Sequence, residues 1–352
     1  MGEVALTDDQ RRMLSDGYEV FLRAFPAETT EPDRFAYKHF GNPYLLPVPA
    51  TFSYTGGEVV AMQWYQGVPV ICDGRTVVAA MTADTAATEK GRGFPFLRCF
   101  LEGNRKMREI GVPFRIGNPD SESFPVVTKL GDEVVESFDQ VFVTQEELRT
   151  VPRATGLRGC LGLKGKCPLQ KAATIAKRAE GFAISESTTC PFTEEDYDLI
   201  NRSGALFALK RDDDYYRWRI DGQPGKTFRY LVAREGGRLR GFFVVWPRED
   251  GWTELMDWGL YAGAVLDDAL FAALFLRGVE QGRTFFASFL SRSRNELRYF
   301  ENIGLAGYAP AGEPVIDYIT VSLIDEGFDE RVLDGANWRV RKSDLDFSLN
   351  RL

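Results

Sequence analysis

Histidine is almost absent from this sequence and cysteine is scarce, which excludes several kinds of site. The single histidine among 352 residues, His39, lies in the aromatic segment "YKHFGNPY" and has no nucleophile motif to accompany it. This argues against Ser-His-Asp and Cys-His catalysis, and we interpret His39 as a packing residue. The five cysteines are an odd number without close regular spacing. We therefore predict neither a secreted disulfide framework nor a metal site.

Long apolar runs and a net positive charge are also lacking. No stretch approaches the roughly 20 apolar residues of a membrane span, and the N-terminal segment has no apolar signal core. The chain has 51 acidic and 43 basic residues, a formal net charge of -8, which argues against a general nucleic-acid-binding surface. We therefore expect a cytoplasmic protein with no membrane partner, and we do not favour nucleic acid as a partner.

Length and patterning predict two related domains. The chain is 44% hydrophobic and 13% aromatic, enough for sizeable cores, and it exceeds one domain of about 150 residues. Residues 1–147 show the order helix, strands, glycine-rich loop, helix, strand, helix, strand, and residues 181–352 repeat much of it without the loop. We predict a mixed α/β fold with two tandem domains, each a mostly antiparallel or mixed sheet flanked by helices.

A basic linker, residues 148–180, is predicted between the two domains. Between residues 149 and 178 the sequence has eight Lys or Arg residues and no Asp or Glu. We favour a solvated linker that leads into a helix. The alternative is an anion-binding surface for a nucleotide phosphate or an anionic substrate.

Hydrophobic periodicity also predicts individual elements of the first domain. Residues 6–25 are patterned as an amphipathic helix with Thr7 as its N-cap, and the segment "FAYKHFGNPY" that follows is predicted to be irregular. Residues 75–85 are predicted as a strand and residues 94–110 as an amphipathic helix. The stretch "ATEKGRGFPF", residues 87–96, therefore joins a strand to a helix.

A glycine-rich loop at the start of a helix favours bound phosphate. The first N–H groups of a helix have no partner within it, and the N-terminal end carries partial positive charge. Gly91 and Gly93 allow close backbone approach, and Lys90 and Arg92 add positive charge. Pro95 suits the first turn of a helix but supplies no N–H group.

In this context "KGRGFPFLRCFLE" resembles the coenzyme A pyrophosphate loop of the GNAT superfamily of N-acyltransferases, with its pattern [Q/R]-x-x-G-x-[G/A]. Gly93 matches the central glycine, while Lys90 and Pro95 depart from the pattern at the other two fixed places. Further segments are similar to those of tandem-domain GNAT proteins, namely "FAYKHFGNPY", "GNPDSESFPVVTKLG", "YYRWRIDGQPGKTFRYLVA" and "NWRVRKSDLDF". These traces span nearly the whole chain.

The resemblance implies N-acyl transfer from acetyl-CoA or another acyl-CoA to a small-molecule amine. The coenzyme would be held by Thr82, Ala83, Asp84, Thr85, Lys90, Gly91, Arg92, Gly93 and Phe94. Asp84, Asp120 and Glu122 are the candidate catalytic acids, which would relay a proton from the amine or hold its charge. A capping or turn role is the alternative for Asp84. For the other two acids, the alternative is N-capping and first-turn charge in "DSES".

Two further positions bear on this function. The tyrosine that often protonates the departing thiolate in the superfamily is replaced here by Val127. Trp218 and Arg219 would either line an acceptor pocket at the domain junction or belong to the core. Two other functions stay open. One is a non-catalytic CoA-binding or ligand-binding protein, and the other is a Fem-type aminoacyl transferase that uses aminoacyl-tRNA.

Overall fold

A computed structural model describes residues 5–26, 30–120, 122–150, 166–202, 205–280, 284–290, 294–305 and 317–344. The helices are α1 (Asp8–Ala24), α2 (Pro32–Phe40), α3 (Phe94–Glu109), α4 (Phe124–Lys129), α5 (Gln145–Arg149), α6 (Pro168–Ala176), α7 (Glu194–Asn201), α8 (Asp213–Tyr216), α9 (Ala264–Val279) and α10 (Arg294–Asn302). The strands are β1 (Ala50–Thr55), β2 (Glu58–Cys72), β3 (Arg75–Ala87), β4 (Phe114–Gly117), β5 (Glu133–Thr144), β6 (Ala183–Ser187), β7 (Phe207–Leu209), β8 (Arg229–Glu235), β9 (Arg238–Pro247), β10 (Trp252–Leu260), β11 (Thr284–Leu290), β12 (Asp317–Leu323) and β13 (Trp338–Arg339).

The two N-terminal helices begin at recognisable capping signals. Thr7 caps α1 through a reciprocal pair of hydrogen bonds with Gln10, which confirms the predicted N-cap. The prediction that "FAYKHFGNPY" is irregular was wrong, because its first six residues lie in α2. Helix α2 begins at Pro32. The fixed φ of proline suits the first turn of a helix, and its lack of an N–H group costs nothing there because the first N–H groups make no hydrogen bond within the helix. The aromatic and charged side chains of this helix concealed its periodicity.

The strands form one hydrogen-bonded sheet that runs through both halves of the chain. The order is β13-β7-β2-β3-β4-β12-β5-β11-β10-β9-β8-β6, and β1 pairs with β2 at the side. The pairs β3–β4, β10–β11 and β7–β13 are parallel, and the other strand pairs are antiparallel. The predicted mixed, mostly antiparallel α/β fold is therefore present.

The two halves of the chain exchange strands at the centre of this sheet. Strand β12, from the second half, lies between β4 and β5 of the first half. Strand β5 in turn pairs with β11 of the second half. The halves are joined through backbone hydrogen bonds as well as side chains. The domain limits 1–147, 148–180 and 181–352 stay a prediction, and residues 151–165 of the basic linker lie outside the described residues.

Separate apolar cores cover the two ends of the sheet. Helices α1 and α2 pack on β2 and β3 around the fully buried Trp64. In the second half, α9 is buried along most of its length against β9 and β11. A third core lies between the halves and includes Phe114, Tyr216 and Trp338. Among the described helices, none is long and apolar enough to span a membrane.

Candidate functional site

Strands β3 and β4 separate soon after they meet, which opens a gap in the sheet. Their parallel pairing covers only two residue pairs, Ala80 with Arg115 and Met81 with Ile116. The Thr82 hydroxyl donates to the Ile116 carbonyl across 3.3 Å at the start of the gap. Beyond it, β3 continues to Ala87 while β4 ends at Gly117. The gap lies at the carboxyl ends of two parallel strands, where open α/β sheets commonly bind ligands.

A β-bulge places Asp84 beside this gap. Trp64 pairs with Ala83 and Met62 pairs with Ala86, so two residues of β3, positions 84 and 85, lie opposite one residue of β2. Asp84 takes up the bulge with a φ of 41°, a conformation that costs free energy in a residue with a Cβ atom. Such bulges redirect side chains and are frequent beside functional sites.

The Asp84 carboxylate is held by two consecutive residues of α2. The Lys38 Nζ atom lies 2.7 Å from Asp84 Oδ1, and the His39 Nε2 atom lies 2.8 Å from Asp84 Oδ2. Lys38 and His39 are almost completely buried, whereas 11% of the Asp84 side chain remains exposed. His39 stacks on Trp64 with 4.0 Å between ring centroids. The interpretation of His39 as a packing residue is therefore incomplete, because the same ring also contacts a candidate catalytic acid.

The protonation states of this trio follow from burial and charge. Burial lowers the pKa of His39 to about 4 despite the opposing effect of Asp84, so the imidazole is neutral at pH 7. Burial alone would raise the pKa of Asp84, but Lys38 and His39 together hold it well below its usual value. Because the carboxylate is ionised and the imidazole neutral, we assign the donated proton to Nε2 of His39.

The glycine-rich loop leads directly into the N-terminus of α3. Residues Glu89–Gly91 form a short 3-10 turn, and a Cβ atom on Gly91 would lie 1.9 Å from the Val60 carbonyl oxygen, so that position requires glycine. Gly93, with a φ of 77°, is the N-cap of α3. This confirms that the loop opens a helix, as its sequence position predicts.

The start of α3 is open to a ligand. Its first turn contains no acidic residue, and in the described part of the chain no protein acceptor contacts the N–H groups of Gly93, Phe94 and Phe96. The Phe94 side chain is 76% exposed. Lys90 forms an exposed ion pair with Glu58 at 3.3 Å, while Arg92 forms none with any described residue. Positive helix charge and an uncompensated cation therefore coincide at the start of α3, which follows the carboxyl end of β3.

The other two predicted catalytic acids lie at the start of α4. Asp120 Oδ1 accepts hydrogen bonds from the backbone N–H groups of Glu122 and Ser123, at 3.1 and 2.7 Å. Glu122 is exposed to solvent. Val127 is buried in the same helix, so α4 presents no acidic side chain at that position. The predicted coenzyme residues 82–85 and 90–94 thus lie along the gap and in the loop. Ser123 is the N-cap of α4 without a side-chain capping hydrogen bond, and Asp120 closes the turn that precedes it.

Trp218 and Arg219 lie at the junction of the two halves and are buried. Arg219 donates to the Ser343 carbonyl at 3.0 Å and approaches Gln66 Oε1 of β2 at 3.4 Å. These contacts favour the interpretation that Trp218 and Arg219 belong to the core, because the Arg219 guanidinium links β2 to the C-terminal segment through hydrogen bonds.

Sequence reasoning missed Lys38 as a partner of Asp84. The two residues are 46 positions apart, and neither lies in a motif that points to the other. Only the packing of α2 on the bulged strand brings them together. A shallow apolar groove of about 620 Å³ lies elsewhere, lined in part by Val77 and Val78 at the start of β3. It is roughly 20 Å along the strand from Asp84.

No protein-family model and no curated protein sequence matches this chain. Solved structures do match. A probable N-acyltransferase from Enterococcus faecalis is 13% identical with a TM-score of 0.61, and the match covers 90% of this chain and 71% of that one. A GCN5-related N-acetyltransferase from Anabaena variabilis is 10% identical with a TM-score of 0.60, and coverage is again 90% and 71%.

A tandem GNAT protein from the clavulanic acid biosynthesis pathway matches over 93% of this chain and 99% of its own length, at 13% identity and a TM-score of 0.52. The chain has the tandem GNAT fold. The fold predicted from the loop and the scattered motifs is therefore confirmed. At these identities the likeness concerns the fold alone. The chemistry of the candidate site depends on this chain's own residues.

Proposed function

We propose that this protein is an N-acyltransferase that moves an acyl group from acetyl-CoA or another acyl-CoA to a small-molecule amine. The observation that carries the proposal is the gap between β3 and β4, which opens at the same end of β3 as the uncapped N-terminus of α3. Free backbone N–H groups, helix charge and Arg92 suit a pyrophosphate at this end. The gap would take the extended pantetheine arm, with Thr82, Ala83 and Thr85 along its edge.

Acyl transfer requires a neutral amine, a donor for the developing oxyanion and a path for the amine proton. The amine nitrogen attacks the thioester carbonyl, a C–N bond forms, the C–S bond breaks, and the proton lost by the nitrogen passes through water to the departing thiolate. The carbonyl oxygen becomes negative in the transition state and needs a donor nearby. The outer edge of β3 beyond Thr82 pairs with no other described strand, and we assign its backbone N–H groups to this role.

Of the three candidate acids, Asp84 is the one we place in the reaction. Its carboxylate lies on the bulge beside the gap, whereas Asp120 closes the turn that precedes α4 and Glu122 is exposed. A carboxylate with a lowered pKa is a poor proton acceptor at neutral pH. We therefore propose that Asp84, positioned by Lys38 and His39, stabilises the positive charge that develops on the attacking nitrogen. Asp120 and Glu122 stay as secondary candidates.

The proposal is tested by binding and by turnover. Calorimetric titration of the whole chain with CoA and with acetyl-CoA should show binding at micromolar to low millimolar concentration. Free thiol released from acetyl-CoA should then rise with a suitable amine. Absence of binding at millimolar ligand would overturn the coenzyme assignment.

A non-catalytic CoA-binding protein is the second candidate, and the buried Val127 favours it, because α4 supplies no acid for the thiolate at that place. Thiolates are moderately good leaving groups near neutral pH, so water can protonate this one if the protein is an enzyme. A protein that binds CoA but releases no thiol across a broad amine panel would support the hypothesis of a non-catalytic CoA-binding protein.

Filter binding to aminoacyl-tRNA tests the hypothesis of a Fem-type aminoacyl transferase. The described cysteines are free thiols, which supports a reducing compartment such as the cytoplasm.

A further inference from the structure

Helix α2 faces the second half of the chain with the same surface that carries Lys38. The Tyr37 hydroxyl donates to the Trp218 carbonyl at 2.8 Å. The Arg34 guanidinium lies against Gly225, in the space that a Cβ atom would fill. Arg34 and Lys38 are four positions apart and therefore share a face of the helix. The two cations of this face thus lie at the junction between the halves.

Lys226, next to Gly225, is a half-buried cation at the same junction. Its ammonium nitrogen lies 4.0 Å from the centre of the Trp246 ring, a cation–π contact. Neither Lys226 nor Arg34 makes an ion pair with a carboxylate of any described residue. Half-burying a lysine without a carboxylate in contact is costly, which suggests that a charge from outside the protein completes the site.

The charges around Lys226 do not balance. Trp246 pairs across the sheet with Glu254, which is only 7% exposed. Arg248 lies over the Trp246 and Trp252 rings at 5.3 and 5.0 Å and pairs with Asp250 at 2.7 Å. Among the described residues, Arg248 pairs with Asp250 and Lys38 with Asp84, which leaves Arg34 and Lys226 facing the single carboxylate of Glu254. The described part of the site therefore has an excess of about one positive charge.

The pKa of Lys226 is lowered at this junction. Burial is the main cause and lowers it to about 8. Glu254 opposes the shift, and Arg34, Arg248 and Lys38 add to it. The Lys38 ammonium is therefore within electrostatic range of Lys226, and Lys38 contacts Asp84 directly. Lys38, which shares a face of α2 with Arg34, thus connects this cluster to the proposed reaction centre at Asp84.

We infer that Arg34 and Lys226 bind a carboxylate of the acceptor, so that the acceptor is an amine that also carries a carboxylate, as amino acids do. This inference rests on the proposed function and deepens it. A single excess positive charge matches a monoanionic carboxylate better than a dianionic phosphate. The Trp246 ring fixes the Lys226 ammonium in place, which reduces the entropy lost when the carboxylate binds.

The test uses amines that differ only in the anionic group. Amino acids, their amides and their phosphonate analogues are compared as acceptors by thiol release from acetyl-CoA. We expect kcat/KM to be highest for the carboxylates. Lys226→Met and Arg34→Met should each raise KM for the carboxylates about tenfold or more with little change in kcat and no change for the amides. Lys226→Arg should restore most of the affinity, and the surface variant Lys106→Met should behave as wild type.

The outcomes separate this inference from the proposed function. If wild type acylates neutral amines as well as amino acids, and Lys226→Met leaves both unchanged, the carboxylate inference is overturned and the acyltransferase stands. A preference for phosphonates also overturns it. If no amine releases thiol, thermal shift with the same amino acids still applies. Stabilisation of wild type and its loss in Lys226→Met would support the carboxylate site without the reaction.

Discussion

The long helices of the two halves, α3 and α9, both begin at a glycine in the left-handed region, but only α9 carries an acidic residue in its first turn. Gly93 has a φ of 77° and Gly263 a φ of 93°. At α9 the Asp267 carboxylate accepts the Ala262 N–H group at 2.8 Å and supplies the negative charge that the helix end favours. At α3 the first turn carries no acid. The two helix ends therefore differ in charge, because a carboxylate already compensates the positive end of α9 and none compensates that of α3.

A second pair of positions shows the same contrast. Strands β3 and β10 each have a β-bulge, which contains Asp84 in β3 and adjoins Asp257 in β10. Each aspartate accepts hydrogen bonds from buried side chains. Asp257 is only 2% exposed and binds Arg211 at 3.0 Å and the Tyr216 hydroxyl at 3.0 Å. Asp84 keeps an exposed edge beside the gap. Similar local structure thus serves packing in one half and a candidate reaction centre in the other.

The largest expected effect comes from neutralising these aspartates. Asp84→Asn and Asp257→Asn should each lower the free energy of unfolding by about 3 kcal/mol, because each removes negative charge beside a buried cation. Urea unfolding monitored by tryptophan fluorescence measures the loss. The double variant Lys38→Met/Asp84→Asn should recover part of it. Acyl transfer should fall in the Asp84 variant alone, and an equal fall in the Asp257 variant would contradict the distinction drawn between the halves.

The two helix N-termini can be compared by the same substitution. Gly93→Glu should weaken CoA binding by about tenfold to a hundredfold, because the new carboxylate competes with the pyrophosphate and repels it. Gly263→Glu carries a similar backbone strain and should leave CoA affinity unchanged. Calorimetry on both variants provides the measurement. Equal losses would show that strain, and not charge at α3, controls the affinity.

Stability should also depend on pH through His39. Its folded-state pKa of about 4 lies below its ordinary value of 6.5, so the unfolded chain binds more protons between those values and stability falls as pH drops. The expected loss between pH 7 and pH 5 is about 2 kcal/mol. Asp84, with its lowered pKa, adds a further loss only as pH falls below its unfolded value near 4.

His39→Phe should remove this part of the pH dependence, and the difference between wild type and variant isolates it from other groups. His39 is the only histidine in the chain, so its imidazole signal can be followed by NMR without assignment. A titration midpoint near 6.5 in the folded protein would show that the ring is solvated, contrary to its position here.

The smallest expected effects concern the loop cations. Arg92→Ala should weaken CoA binding about threefold to fivefold, since an exposed charge near a helix N-terminus contributes at most about 1 kcal/mol. Lys90→Ala should change affinity less, because Glu58 already compensates that charge. Calorimetry at two salt concentrations should show a larger effect of Arg92 at low salt. A greater loss for Lys90 would indicate that its pair with Glu58 breaks when CoA binds.

Local chemistry made parts of this protein predictable. Thr7 before an amphipathic segment predicted where α1 begins, and the apolar periodicity from Phe94 with Pro95 in the first turn predicted the start of α3. The prediction failed at α2, where aromatic packing and a buried Lys-His pair replace a simple apolar stripe. Asp84 was selected as a candidate from its position after a strand, but its partners were not foreseen, because nothing local links them to it.

The sequence by itself therefore determined the glycine loop, the helix it opens and the repeated order of elements, since these depend on backbone conformation and on contacts between near neighbours. Tertiary structure alone decided the exchange of β5 and β12 between the halves and the burial of Lys38 and His39 against Asp84. It also decided the approach of Arg34 to Gly225, next to Lys226. Those arrangements join residues far apart in the chain. Their free energies come from burial and charge, which exist only once the two halves have packed together.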